Sequence, residues 1–290
     1  MITERIRRNV PLKEYTTFKI GGLAKYFLEA KNKEELMAGI QWAKQQGLPF
    51  FILGGGSNLL ISDEGFDGLV LRISSDGFQF DGERLKVEAG ANLSLVVNEC
   101  LKKRLSGLEW ASGIPKITVG GAVYGNAGAF GVTCADMIES VELLDTDTMT
   151  IKTISFEECQ FDYKESIFKK NKNLIILSVV FRLEAKAAEE IEKEIKRALF
   201  YRREHHSSEP SAGSVFKNPF QIPAGELIEN CGLKGKRIGN AQISLKHANF
   251  IVNLGEAKAQ DVKNLIDLAK KEVQNKFNIL LEEEVQYLGF

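Results

Sequence analysis

Leu36, Ile40 and Ala43 recur at helical spacing behind Asn32-Lys33-Glu34-Glu35. The pattern predicts a helix capped by Asn32, with Glu35 placed to complete a capping box. Gly47 followed by Pro49 stops that helix. The next apolar run, Phe50-Phe51-Ile52-Leu53, reads as a strand that enters Gly54-Gly55-Gly56-Ser57-Asn58 directly. Asp81-Gly82 between apolar runs at 78–80 and 85–89 marks a hairpin turn. Asn92 is placed to cap a helix over 93–105, ending at Gly107. Paired strands are expected at 140–144 and 150–154, then a buried strand at 174–183. From Ala185 the chain turns charged, with a helix to about Arg203 and a shorter α+β remainder. That remainder holds a helix over 260–274 and a closing strand over 279–288, so the expected domains are 1–185 and 186–290.

Three consecutive glycines cost conformational entropy, roughly 0.5–1 kcal/mol each against alanine in a regular element. Two explanations stand side by side. Successive N–H groups of Gly54–Asn58 could wrap an anion such as a pyrophosphate, or the segment could be a tight strand-to-turn corner. No Gly-Lys-Ser/Thr follows, so it is not a Walker A loop, and Leu59 takes the place of the third glycine of the Rossmann fingerprint. A second segment, 107–131, holds seven glycines and only two charges, Glu109 and Lys116. Its small, neutral character suits a backbone lining a large flat ligand, with N–H groups near Gly120, Gly121 and Asn126 facing phosphates. A self-packed Ω-loop is the alternative.

Charge narrows the class little further. With 38 basic and 39 acidic residues in 290, no overall field favours nucleic acid or an acidic membrane surface. The densest basic run, around 193–203, is interleaved with apolar residues at helical spacing and reads as a wet helix face. No stretch of 18 apolar residues or apolar leader is seen, so neither a membrane span nor a signal peptide is expected. Cys100, Cys134, Cys159 and Cys231 lie far apart without CxxC spacing and read as reduced thiols of a cytoplasmic protein. His205 and His206 are adjacent and cannot share a helix face, so no metal site is expected.

The second domain carries the polar chemistry. In 210–219, Gly213 permits close approach, Ser214 offers a hydroxyl, and Lys217 and Asn218 suit phosphate or uracil-like edges; a Ser/Pro turn entering a strand is the plainer reading. The Gly-x-Ser-x-Gly elbow is absent, which argues against a serine hydrolase. Residues 239–253 add amide, lysine and histidine types suited to a sugar nucleotide. Glu282-Glu283-Glu284 interrupts the closing strand, where alternation puts Glu282 and Glu284 on one face and Glu283 on the other.

Together these motifs resemble the UDP-N-acetylenolpyruvoylglucosamine reductases, flavoenzymes that complete UDP-N-acetylmuramic acid for bacterial peptidoglycan. The resemblance rests on 17–22, 53–60, 113–128, Tyr163-Lys164-Glu165-Ser166-Ile167-Phe168, 213–219, Lys246-His247-Ala248-Asn249 and Glu284-Val285 in that order. It implies an α+β chain: a bipartite FAD-binding domain of the vanillyl-alcohol-oxidase type plus a smaller α+β substrate domain. It also implies non-covalent FAD, NADPH as co-substrate, and reduction of the enolpyruvyl ether of UDP-N-acetylglucosamine.

By the same resemblance, Leu53, Gly54, Gly55, Gly56, Ser57, Asn58, Gly113, Gly120, Gly121, Asn126 and Gly128 hold the cofactor. Tyr163, Lys217, Asn218, Gln242, Lys246 and His247 hold the substrate. Ser214 gives a proton to the enolate, Glu284 is the second catalytic group, and Lys164 is the third catalytic candidate. Position 164 is arginine as a rule in that family, and lysine offers a point charge where arginine offers a fork. The short, mostly helical stretch 183–210 resembles the subgroup without an inserted substrate-covering loop. A cytoplasmic monomer serving cell-wall synthesis and division is expected, with no nucleic-acid or membrane partner. An alcohol oxidase or dehydrogenase of the same flavin fold is the alternative.

Overall fold

A computed structural model describes residues 2–220 and 222–290, which form two compact units. Of the described residues, the first comprises 2–6, 27–55 and 69–200, and the second comprises 7–26, 56–68, 201–220 and 222–290. The expected boundary near 185 falls at the short strand Glu184–Ala185, while the chain changes unit between Phe200 and Tyr201.

In the first unit, Asn32 caps helix Lys33–Gln45 as expected, its side chain accepting from Glu35 N at 2.9 Å. The Glu35 carboxylate takes the N–H of Lys31 at 2.8 Å instead of the cap's own, so the box is shifted by one residue. Leu36, Gly39, Ile40 and Ala43 form the buried face. Gly39 lets the helix lie close to its neighbours: a Cβ there would meet the Leu71 and Leu28 methyls at 2.6 and 2.8 Å, which would have to shift. Strand Phe50–Leu53 pairs in parallel with residues 69–72 of strand Phe66–Ile73.

A five-stranded antiparallel sheet follows the order Thr150–Ser155, Ile138–Asp145, Leu174–Arg182, Arg84–Glu88, Phe78–Asp81. Gly82, at φ 59°, turns the last hairpin. Asn92 caps helix Leu93–Lys103. The charged helix expected from Ala185 runs over Ala188–His205.

In the second unit, strands Ser211–Ser214, Phe250–Asn253, Ala241–Ile243 and Arg237–Ile238 form an antiparallel sheet in that order. Helices Ala224–Asn230 and Ala259–Phe277 supply Leu227, Ile228, Val262, Leu265, Ile266 and Val273 to the core they share with Val215, Ile243 and Ile251. The expected closing strand over 279–288 is corrected to Gln286–Leu288, paired in parallel with Leu59–Ile61. Upstream, a single bridge joins Glu283 to Phe216. Around that bridge Lys217 N donates to Glu282 O at 2.9 Å and Glu284 N to Val215 O at 2.8 Å, and the first two carboxylates of the triplet have separate partners. Glu282 pairs with Lys217, and Glu283 is drawn to Lys270 at 2.7 Å and to the Tyr287 hydroxyl.

Candidate active site

The glycine turn is dictated by protein neighbours as well as by any ligand. A Cβ on Gly54 would sit 2.7 Å from Thr118 Oγ1, and one on Gly55 would sit 1.6 Å from the Lys116 carbonyl oxygen. Gly56 has φ 65°, and its Cβ would lie 2.2 Å from the Tyr15 carbonyl oxygen. The two glycine segments therefore touch each other at Gly54, Gly55 and the 116–118 backbone. Sequence reading could not see this packing. Leu53, which leads into the turn, is buried and paired opposite Arg72.

The second segment is more structured than an open lining loop. Residues Val119–Tyr124 form a helix, capped by Thr118. The expectation that N–H groups of Gly120, Gly121 and Asn126 face phosphates is corrected. They donate to Ala89 O at 2.8 Å, Thr118 Oγ1 at 3.3 Å and Val123 O at 3.2 Å respectively. Gly128 lies in a two-stranded hairpin opposite Thr133, and Gly113 is exposed with φ 77°. Gly121 is exposed, and the nearest atom to a Cβ there would be Thr118 Oγ1 at 3.2 Å.

By contrast, the backbone N–H groups of Gly55, Gly56, Ser57 and Asn58 have no acceptor among the described residues. Asn58 adds a side chain with a similar need. Its Nδ2 donates to the Glu284 carbonyl at 3.0 Å, while its Oδ1 is buried without a partner among the described residues. The carbonyl partner fixes which end of the amide is nitrogen. Consecutive donors suit a pyrophosphate, and an orphaned buried acceptor suits a hydroxyl or imide N–H of a flavin nucleotide. The residues fit FAD.

Tyr163 and Lys164 lie on a turn in which Asp162 and Glu165 exchange two backbone bonds, each 3.1 Å. Asn126 fastens this turn to the glycine segment, Nδ2 donating to Asp162 O at 2.9 Å while Oδ1 accepts from Ala135 N at 3.1 Å. Ser166 does the same through Oγ to Tyr124 O at 2.7 Å. Tyr163 is exposed and Lys164 partly so.

In the second unit, Ser214 ends its strand after a register shift between Ser211 and Ser214, where Gly213 takes φ 76°. Such a bulge re-aims the following side chain. The Ser214 hydroxyl is half-buried and has no hydrogen-bond partner among the described residues. Asn249 holds the next two residues: Val215 N donates to its carbonyl at 2.8 Å, and its amide bonds both the N–H and the carbonyl of Phe216 at 2.9 and 2.8 Å. Glu284 N in turn donates to Val215 O at 2.8 Å. Ser214, Glu284 and Asn58 thus belong to one hydrogen-bonded framework. Thr17 adds to it, its Oγ1 donating to Ser211 O at 2.7 Å and its N–H to Gly56 O at 3.0 Å.

The remaining substrate candidates are placed less uniformly. Lys217 is only 11% exposed at its side chain and pairs with Glu282. Asn218 Oδ1 caps helix Ala224–Asn230 by accepting Ala224 N at 3.1 Å. Gln242 donates to Gly235 O at 3.0 Å, and Lys246 to Arg203 O at 3.1 Å. His247 Nδ1 accepts Asn249 N at 3.2 Å, so this ring supports the strand that carries Phe250. Burial, then Lys234 and His205, hold the His247 pKa below its usual value. Its edge neighbour His206 is pushed down to about 4 by burial and by Arg202, His247 and His205. Glu283 stays below the usual carboxylate range: burial raises it, and Lys270 and Tyr287 outweigh that.

Sequence reading did not single out Thr118, Asn249 within its cluster, or Lys169. The available signal was slight: Asn249 acts on Phe216, 33 residues away, and Thr118 and Lys169 act on backbone groups of turns whose shape no apolar pattern marks. Among the described residues no helix is long and apolar enough to cross a membrane, and no group of three or more His, Cys, Asp or Glu could hold a metal.

Residues 24–154 match the model of an FAD binding domain, and 205–288 match that of a UDP-N-acetylenolpyruvoylglucosamine reductase C-terminal domain. Fold and site together define an FAD-dependent oxidoreductase. The chain is 44% identical, over 96% of its length and 89% of the relative's, to the UDP-N-acetylenolpyruvoylglucosamine reductase of Caldicellulosiruptor bescii. The enzyme of that name from Clostridium novyi is 40% identical, with coverages of 99% and 93%. The crystal structure of the Thermus caldophilus enzyme superposes with a TM-score of 0.84 at 38% identity, covering 98% of this chain and 99% of that one. A distant solved structure, the glucose dehydrogenase Phl p 4.0202, shares the fold alone, at TM-score 0.50 and 13% identity over 64% of this chain and 42% of its own. The chain belongs to the UDP-N-acetylenolpyruvoylglucosamine reductase family.

Proposed function

We propose that this chain reduces the enolpyruvyl ether of UDP-N-acetylglucosamine to UDP-N-acetylmuramate with NADPH, as a cytoplasmic monomer serving peptidoglycan synthesis, cell shape and division. The observation that carries this reading is the framework joining Ser214, Val215 and Glu284 to Asn58, beside a run of unengaged N–H groups. FAD, when bound, carries the hydride from NADPH to the methylene carbon of the substrate.

Ser214 then gives its proton to the neighbouring enolate carbon. A serine hydroxyl is a weak acid, so it suits only a strongly basic, carbanion-like partner held in place. The Gly213 bulge sets its aim, and its hydroxyl is spent on no described residue. Glu284, whose main chain is fixed on both sides, acts beside it. Lys164 and Lys217 supply positive charge for the substrate carboxylate and for the phosphates, stabilising charge where it grows. Lys246, Gln242, Asn218 and His247 shape the nucleotide site, His247 by holding Asn249 in place. Tyr163 offers an exposed aromatic face. The functional division keeps 1–185 for the cofactor and 186–290 for the substrate, with Asn58 and the Thr17 turn contributing to both tasks.

The test is optical. Purified protein should be yellow, bleach anaerobically with NADPH, and regain colour on adding the enolpyruvyl UDP-sugar. Bleaching by an alcohol, with no response to the UDP-sugar, would contradict the reading.

A further inference from the structure

Lys164 sits at φ 57°, in the left-handed region that crowds any side chain with a Cβ. The turn around it is secured through its neighbours: Asp162 and Glu165 bond each other, Asn126 holds Asp162, and Ser166 holds Tyr124 O. Ser166 also caps the short helix Ile167–Lys170, its side chain accepting Lys169 N at 3.3 Å. From that helix Lys169 reaches back. Its Nζ donates to the Lys164 carbonyl at 2.7 Å and pairs with Glu165 Oε1 at 3.3 Å. The Lys169 side chain is 12% exposed, so this ammonium is largely withdrawn from water and given to the turn.

We propose that Lys169 is a positioning residue. Its ammonium grips the Lys164 carbonyl and so fixes the left-handed turn from which the Lys164 side chain serves the substrate carboxylate. A shielded ammonium is costly to leave unpaired, and a left-handed lysine is costly to hold without an anchor, so each offsets the other's cost. The inference rests on the reading of Lys164 as a substrate cation. It assigns to Lys169 no contact with substrate or cofactor.

The experiment is a double-mutant cycle on the holoenzyme, using Lys169→Met, Lys164→Met and both together. Stopped flow measures flavin reduction by NADPH separately from reoxidation by the enolpyruvyl UDP-sugar, and FAD content and melting temperature are recorded for each. Lys169→Met is expected to slow reoxidation about 10- to 100-fold, the worth of a hydrogen bond to a charged group. NADPH reduction and FAD content should stay near wild type. The double variant should be no slower than Lys164→Met alone, and Lys169→Arg should recover most of the rate. Losses that multiply in the double variant would overturn the positioning role, as would an equal fall in both half-reactions with a lower melting temperature. If Lys164→Met slows reoxidation and Lys169→Met does not, the reading of Lys164 stands and the positioning role falls. If Lys164→Met itself changes nothing, the reading fails and takes the inference with it.

Discussion

The main-chain N–H of Glu284 donates to the carbonyl of Val215 at 2.8 Å, one residue beyond Ser214. That bond sets the Glu284 backbone against the strand that carries the proposed proton donor, without using either side chain. Asn249 completes the support from the other side by bonding Val215 N and both polar main-chain groups of Phe216. Three buried backbone groups are satisfied by one asparagine, 3% exposed. Preorganisation here comes from paired backbone groups, which hold the main chain on either side of the proposed proton donor.

Asn58 links this lattice to the cofactor segment. In the protein without flavin, its buried Oδ1 is a cost of about 1–3 kcal/mol, and its Nδ2 bond to Glu284 O returns about 0.5–1.5 kcal/mol. Asn58→Leu should therefore leave the melting temperature of the apoprotein within a few degrees of wild type. The rise in melting temperature on adding FAD should shrink, since ligand-induced stabilisation follows affinity. Thermal scans of apo- and flavin-loaded protein check this. An unchanged flavin-induced rise would show that Asn58 Oδ1 does not serve the cofactor.

His206 gives the second unit a sign-definite pH dependence. Its folded pKa, about 4, lies below the ordinary histidine value of 6.5 through burial and the nearby Arg202, His247 and His205. Between those values the unfolded chain binds more protons, so stability is full above about pH 6.5 and falls as pH drops towards 4. His247, also lowered, adds in the same direction. Urea titrations from pH 7.5 to 4.5 should show the midpoint dropping with pH, and His206→Phe should flatten that slope. A slope unaltered in the variant would exclude His206 as its source.

Local chemistry was legible in the sequence, and distant packing was not. The Asn32 and Asn92 caps, the Asp81-Gly82 hairpin and the Leu174–Arg182 strand depend on neighbours along the chain, and each appears where the pattern put it. Gly54 and Gly55 read as room for a ligand. They also make room for the backbone at 116–118, which no local pattern announces. Gly120 and Gly121 looked like free donors because a glycine-rich stretch hides its own capped helix. The closing strand was overdrawn because Ile279-Leu280-Leu281 resembles strand, while the pull of Lys270 and Tyr287 on Glu283 is visible only in three dimensions.

Ser214→Ala tests the central claim most directly. The substitution removes a proton donor needed only after hydride has reached the substrate. Stopped flow on the flavin-loaded variant should show reduction by NADPH near the wild-type rate. Reoxidation by the enolpyruvyl UDP-sugar should be slower by about 10²–10⁴-fold, the usual cost of a lost general acid. Equal losses in the two half-reactions, or reoxidation at the wild-type rate, would contradict the assignment of Ser214 as the acid.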